Sequence, residues 1–227
     1  VFHESGTLVS GIIGGLYSST ATISVLARKS RKASEQEATD YVAAMLLAVS
    51  MMFLRFMILI LIFSREIFLS IYPYLLTMAV VAAIVAWFIH SRQKRPEDQS
   101  AETEEDDSSN PLEFKVALIF AVLFVIFTFL THYTLVYAGT GGLNLLSFVS
   151  GFSDITPFIL NLLQNTGSVA ALIITACSMQ AIISNIMVNM FYALFFAGKG
   201  SKLRPWILGG FGVVIACNLV LLLFFYI

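Results

Sequence analysis

The sequence predicts an all-α integral membrane protein of about seven hydrophobic segments that form an internal repeat. Its 227 residues are 58% hydrophobic and only 12% charged, with a mean hydropathy of +0.87, whereas soluble domains are about a quarter charged. Apolar runs of around twenty residues recur, each long enough to cross a hydrocarbon core of about 30 Å as a helix. The runs are continuous where a barrel strand would alternate, which excludes a barrel. Finally, "GTLVSGIIGGLYSSTATISVLA" (6–27) lies without a gap over "GLNLLSFVSGFSDITPFILNLL" (142–163). Gly6, Gly15, Thr20, Ile23 and Leu26 then match Gly142, Gly151, Thr156, Ile159 and Leu162.

The segments are expected at 6–27, 41–63, 72–90, 113–137, 143–164, 168–197 and 205–227. Thr39 and Asp40 suit the cap of the second, and Asn110-Pro111 the start of the fourth. Gly198 and Gly200 end the sixth. Between the third and fourth lies "SRQKRPEDQSAETEEDDSSNP", with seven acids from Glu97 to Asp107 and no aliphatic side chain larger than Ala before its end. Such a stretch cannot bury enough apolar surface to offset its ordering entropy, so it reads as a disordered acidic linker. The expected organisation is a first repeat over 1–90, a linker over 91–112 and a second repeat over 113–227. At a shift of 132, "YPYLL" (72–76) falls on "RPWIL" (204–208), and segment 113–137 has no partner. A leading helix upstream of Val1 is therefore expected. Cys177 and Cys217 lie in apolar runs and indicate no disulfide framework.

Basic residues set the orientation. Arg28, Lys29, Arg31 and Lys32, with Arg92, Lys94 and Arg95, place the loops 28–40 and 91–112 in the cytoplasm and the loop at Arg65 and Glu66 outside. Lys199, Lys202 and Arg204 would then lie outside if every segment crossed. The Gly/Ser-rich first segments of the two repeats are either broken helices that cross or re-entrant hairpins that do not. Two re-entrant segments would invert the repeats and bring that third basic loop to the cytoplasm.

Arg55 and Asp154 are the charged residues well inside apolar segments. A charge at the centre of a membrane helix costs about 2.5–3.5 kcal/mol on insertion scales, so each should face protein or water. Their opposite signs make a direct pair the simplest arrangement. Gly11, Gly15, Ser18 and Thr22 share a stripe at helical spacing, as do Ser147, Gly151, Asp154 and Phe158. Small stripes let helices approach closely, which puts Asp154 on a packing face. Ser153, Asp154, Thr156 and Pro157 would form an unwound turn opposite Ser18, Ser19 and Thr20. Freed carbonyls, hydroxyls and a carboxylate are hard oxygen ligands for Na⁺, Mg²⁺ or protons, with Asp154 as the metal ligand. Tight packing without a ligand is the competing role.

Ser178, Asn185 and Asn189 share a face of the sixth segment, with Gln180 and Ser184 beside it. Interhelical hydrogen bonding and pathway lining both fit them. His90, His132 and the two cysteines are scattered singly, unlike a soft-metal site. No Gly loop ending in Lys-Ser/Thr, no HExxH and no GxSxG occurs, so neither an enzyme nor an ATP-driven pump is expected. No cofactor and no nucleic-acid partner are expected either.

At "GIIGGLYSSTATISVLARKSR", "NPLEFKVAL" and "SGFSDIT", the chain resembles the uncharacterised membrane domain family found C-terminal to MgtC/SapB-type domains in bacteria and archaea. Gly14 to Ala21 match that family's Gly-Gly-Leu-x-Ser-Ser-Thr-Ala run, and Ala27 to Arg31 its basic loop. Ser150, Gly151 and Asp154 match its Ser-Gly-x-x-Asp motif. The resemblance implies a multi-pass protein of the inner (cytoplasmic) membrane, a loose link to magnesium homeostasis, and an MgtC-like domain or subunit as partner. A homo-oligomer is also expected. Two functions compete. One is a secondary transporter or permease for a small hard cation, Mg²⁺ or similar, with its site at the repeat interface. The other is a non-transporting scaffold or regulatory module in which Arg55–Asp154 is a structural ion pair.

Overall fold

A computed structural model describes residues 5–31, 35–92, 112–152, 154–164, 170–198 and 201–226. Its helices are α1 (Ser5–Lys29), α2 (Glu35–Phe63), α3 (Arg65–Ser91), α4 (Leu112–Ser150), α5 (Ile155–Gln164), α6 (Ala171–Ala197) and α7 (Arg204–Tyr226). Among the described residues five stretches are long and apolar enough, by length and composition alone, to cross a membrane: Gly6–Lys29, Thr39–Phe63, Arg65–Ser91, Ala171–Ala197 and Arg204–Phe224, the first of them broken at Ser18. The protein is a multi-pass membrane protein by this measure.

Several boundaries differ from expectation. α3 begins at Arg65 because the Ser64 side chain caps it, accepting the Ile67 N–H. One residue suffices between α2 and α3, so Arg65 and Glu66 form a first helical turn and no extended loop. Thr39 and Asp40 lie inside α2; Asp40 Oδ1 instead meets His90 Nδ1 at the far end of α3, 2.7 Å away. The segment expected at 143–164 is divided between the end of α4 and α5. Residues 93–111, with most of the acidic linker and Asn110-Pro111, lie outside the described residues.

α1 is a hairpin of two limbs. Ser18 leaves helical geometry, at φ −156 and ψ 107. A Cβ on Gly14 would come within 2.5 Å of Thr22 Oγ1, although eight residues of straight helix span about 12 Å. Limb 19–29 therefore folds back on limb 5–17, and the continuous stripe expected from Gly11 to Thr22 is broken at Ser18. Limb 5–17 runs parallel to α2 in close contact. A Cβ at Gly11 would strike the Ala44 carbonyl, and one at Gly15 would lie 2.5 Å from Ala48 Cα.

α4 also turns back, at Gly139 with φ 58 and ψ −147, a conformation left almost wholly to glycine. Gly142 consequently sits against Thr134 and Ala138. The returning limb, 140–150, runs parallel to α6. Ser147 Oγ donates to Gln180 Oε1 (3.0 Å), Ser184 Oγ to the Phe148 carbonyl (2.6 Å) and Asn185 Nδ2 to the Gly151 carbonyl (3.2 Å). The chain reverses again at 151–154 into α5. Gln164 can lie at most about 25 Å from Ala171, well short of the roughly 40 Å length of the 27-residue α6. Limb 140–150 and α5 thus make a second hairpin, open toward the start of α6.

The end of α6 meets the end of α1. Arg31 Nη2 donates to the Phe195 carbonyl at 3.3 Å and its Nε to that of Phe196, while Arg28 lies 4.3 Å over the Phe196 ring. Basic side chains there complement the negative end of the α6 dipole. The first hairpin therefore enters from the end of the bundle where α6 finishes, and the second from the end where α6 starts. Arg28, Arg31 and Arg204 accordingly share one end, contrary to what full crossing by every segment would require. α7 completes the packing, with Gly210 against Leu46 and Ile89 and Asn218 accepting a buried hydrogen bond from Tyr74.

Candidate functional site

The two hairpin bends face each other across a cavity of about 350 Å³. α1 contributes Ser18, Ser19, Thr20 and Ser24; α2 contributes Arg55; the second bend contributes Phe152, Asp154 and Ile155; α6 contributes Asn185 and Tyr192. Each bend is held by a side chain that caps the helix leaving it. Ser18 Oγ accepts the Ala21 N–H at 3.3 Å, and Asp154 Oδ1 accepts the Thr156 N–H at 2.9 Å. Both bonds satisfy amides that the start of a helix leaves without an internal acceptor.

Arg55 reaches both hairpins. Its Nη1 donates to the Tyr17 carbonyl at 2.7 Å and its Nη2 to Thr156 Oγ1 at 3.2 Å. Its Nε is buried without an acceptor. The direct Arg55–Asp154 pair expected from the sequence is not made. Thr156 stands between them, with its hydroxyl on Arg55 and its N–H on Asp154. Asp154 also departs from the packing face expected for it: unwinding at the bend draws the carboxylate to the α5 amide and leaves it exposed beside the cavity.

Three of the carbonyls at the breaks already have side-chain donors. Tyr17 O takes Arg55, Phe148 O takes Ser184, and Gly151 O takes Asn185. The oxygens that remain for a ligand are chiefly the Asp154 carboxylate and the hydroxyls of Ser18, Ser19, Thr20 and Ser24. Among the described residues no cluster of three or more His, Cys, Asp or Glu could hold a metal.

Of the residues singled out in the sequence, Ser18, Ser19, Thr20, Arg55, Asp154 and Asn185 line the cavity. Thr156 touches it through Arg55. Asn189 is fully buried one turn beyond Asn185 and donates to its Oδ1 at 3.1 Å. Ser153 lies outside the described residues. Ser24, Phe152, Ile155 and Tyr192 were not anticipated. Ser24 extends the hydroxyl run of Ser18 to Thr20 by one turn and was legible as such, whereas nothing in an apolar run marks Tyr192 as a cavity residue.

A protein of Aquifex aeolicus (strain VF5), described as an uncharacterized protein, is 25% identical over 227 residues, covering 97% of this chain and 96% of that one. No solved structure matches. The profile of the family called Domain of unknown function (DUF4010) matches residues 1–197, a span that contains both hairpins and every residue lining the cavity. The chain belongs to the DUF4010 family.

Proposed function

We propose that the protein is a secondary transporter or permease for a small ion, with its site in the cavity between the hairpin bends. The observation that carries this reading is that cavity, where two helical hairpins from opposite ends meet and both intramembrane charges, Arg55 and Asp154, are brought together. Broken helices meeting near the middle of a bundle, in two repeats of opposite topology, form the substrate sites of many transporters.

Two pairs of contacts favour an inverted internal repeat. Gly11 against Ala44 and Gly15 against Ala48 correspond, 136 positions on, to Ser147 with Gln180 and Gly151 against Ser184. The same offset therefore relates the sequences, the contacts and the two capping residues, Ser18 and Asp154. Rocking one repeat against the other would open the cavity to each side in turn. The end of the bundle that gathers Arg28, Lys29, Arg31, Lys202 and Arg204 is the cytoplasmic one by the positive-inside rule, which suits the inner membrane.

The cation expected from the sequence, Mg²⁺ or another hard ion, would use Asp154 with the Ser18, Ser19 and Thr20 hydroxyls. One carboxylate suits a proton, Na⁺ or a Mg²⁺ that keeps several waters. The scaffold reading has its own support, because Arg55 ties Tyr17 of one hairpin to Thr156 of the other. A thermal-shift titration with Na⁺, Mg²⁺, Mn²⁺, Ca²⁺ and Co²⁺ separates them, since a ligand at 100 times its Kd stabilises by about 2.7 kcal/mol. A saturable cation shift, lost in a well-folded Asp154→Asn variant, supports transport. No cation shift, with a variant that unfolds early, supports the scaffold. An MgtC/SapB-type partner and a homo-oligomer belong to the same proposal, and co-purification with light scattering tests both.

A further inference from the structure

Resting on the transport reading, we infer that the cavity also holds an anion subsite: Arg55 binds a small oxyanion of the carboxylate or phosphate class. A guanidinium carries five N–H donors, and Arg55 commits two groups to neutral oxygens, the Tyr17 carbonyl and the Thr156 hydroxyl. Its Nε–H is buried with no acceptor, so a ligand in the cavity meets the second N–H of Nη1 and of Nη2. Among the described residues no carboxylate lies within ion-pairing distance of it; Asp154 acts on it only through space, across the same cavity. A cation at this depth without a contacting counter-charge is costly unless a ligand supplies one.

The cavity's remaining polarity points the same way. Limb 19–29 and α5 both begin at the bends and direct the positive ends of their dipoles there. Limbs 5–17 and 140–150 end at the bends, but their carbonyls at Tyr17, Phe148 and Gly151 are taken by Arg55, Ser184 and Asn185. Asp154 spends one oxygen on the Thr156 N–H. A proton or cation at Asp154 would leave Arg55 as the dominant charge, so the two subsites favour joint occupancy by a cation and an anion. The volume, about 350 Å³, lies at the small end of ligand pockets. It suits inorganic phosphate, sulfate or a short-chain carboxylate. Oxyanions engage a guanidinium through two parallel bonds, which chloride cannot form.

The test uses the full chain in phosphatidylcholine nanodiscs. Sodium phosphate, sulfate and succinate are titrated against sodium chloride at equal ionic strength, with unfolding temperature as the readout. A parallel set of discs contains phosphatidylglycerol without added oxyanion. The expected result is saturable stabilisation by a soluble oxyanion over chloride, weakened at least tenfold in Arg55→Lys and retained in Asp154→Asn at high sodium. Arg55 also stitches the hairpins together, so its variants could unfold. Wild-type protein is therefore also modified with phenylglyoxal and mapped by mass spectrometry. The oxyanion should protect Arg55 and leave Arg65 and Arg92 unprotected. Protection of Arg55 by phosphatidylglycerol alone would identify a lipid headgroup as the source and overturn a soluble substrate. No oxyanion effect on stability or on Arg55 labelling overturns the subsite, and a surviving cation shift would then leave the transport reading intact. Absence of both shifts sinks the two together.

Discussion

Ser18 and Asp154 occupy corresponding places in two hairpins that enter the bundle from opposite ends. Each lies at the bend, lines the same cavity, and accepts a backbone N–H from the first turn of the outgoing helix. Because Asn caps a helix start about as well as Asp, while Ala does not, Asp154→Asn should fold with nearly wild-type stability. Asp154→Ala and Ser18→Ala should each lose about 1 kcal/mol. Chemical denaturation in detergent checks this, and severe unfolding of Asp154→Asn would mean that the charge of the carboxylate, and not its cap, holds the bend.

Close approach of α1 to α2 depends on Gly15, where a Cβ would lie 2.5 Å from Ala48 Cα. The obstacle is backbone, which cannot move aside as a flexible side chain would. Gly15→Ala should therefore destabilise by roughly 1–3 kcal/mol, the usual penalty of overpacking. Gly6→Ala, with nothing within 4 Å of its Cβ position, should be tolerated, and a thermal melt of the two variants compares them directly.

Gly139 makes a different demand. There is open space around it, yet its φ of 58 and ψ of −147 are unfavourable for any residue with a Cβ. Gly139→Ala should cost about 1–3 kcal/mol through the backbone alone. Gly141→Ala, equally unobstructed and inside the returning limb, should be neutral or slightly stabilising. Equal melting temperatures for the two would show that the α4 turn is not held at Gly139.

Much of the cavity lining was legible because its chemistry is conspicuous in an apolar chain. Arg55 and Asp154 stand out as charges, and the Ser18-Ser19-Thr20 run as hydroxyls where Leu and Ile are the rule. Hairpin geometry was less so. A single extended residue at Ser18 reverses the chain, and a helical stripe from Gly11 to Thr22 looks the same in sequence whether or not it is interrupted. The third basic loop held the clue, since Lys202 and Arg204 violate the charge rule under full crossing and obey it once both first segments turn back. The bridging role of Thr156 was out of reach, because hydrogen-bond partners 101 positions apart leave no local pattern.

The arrangement of the hairpins is open to one decisive experiment: side-specific thiol labelling of Lys29→Cys, Lys202→Cys and Gly141→Cys in intact cells, in a Cys177→Ala, Cys217→Ala background. Opposed hairpins place 29 and 202 on one face of the membrane and 141 on the other, so an impermeant reagent should label either the first two or the third. Labelling that puts 29 and 202 on opposite faces would mean that a Gly/Ser-rich segment crosses outright, and the meeting of two hairpin bends at a shared cavity would be wrong.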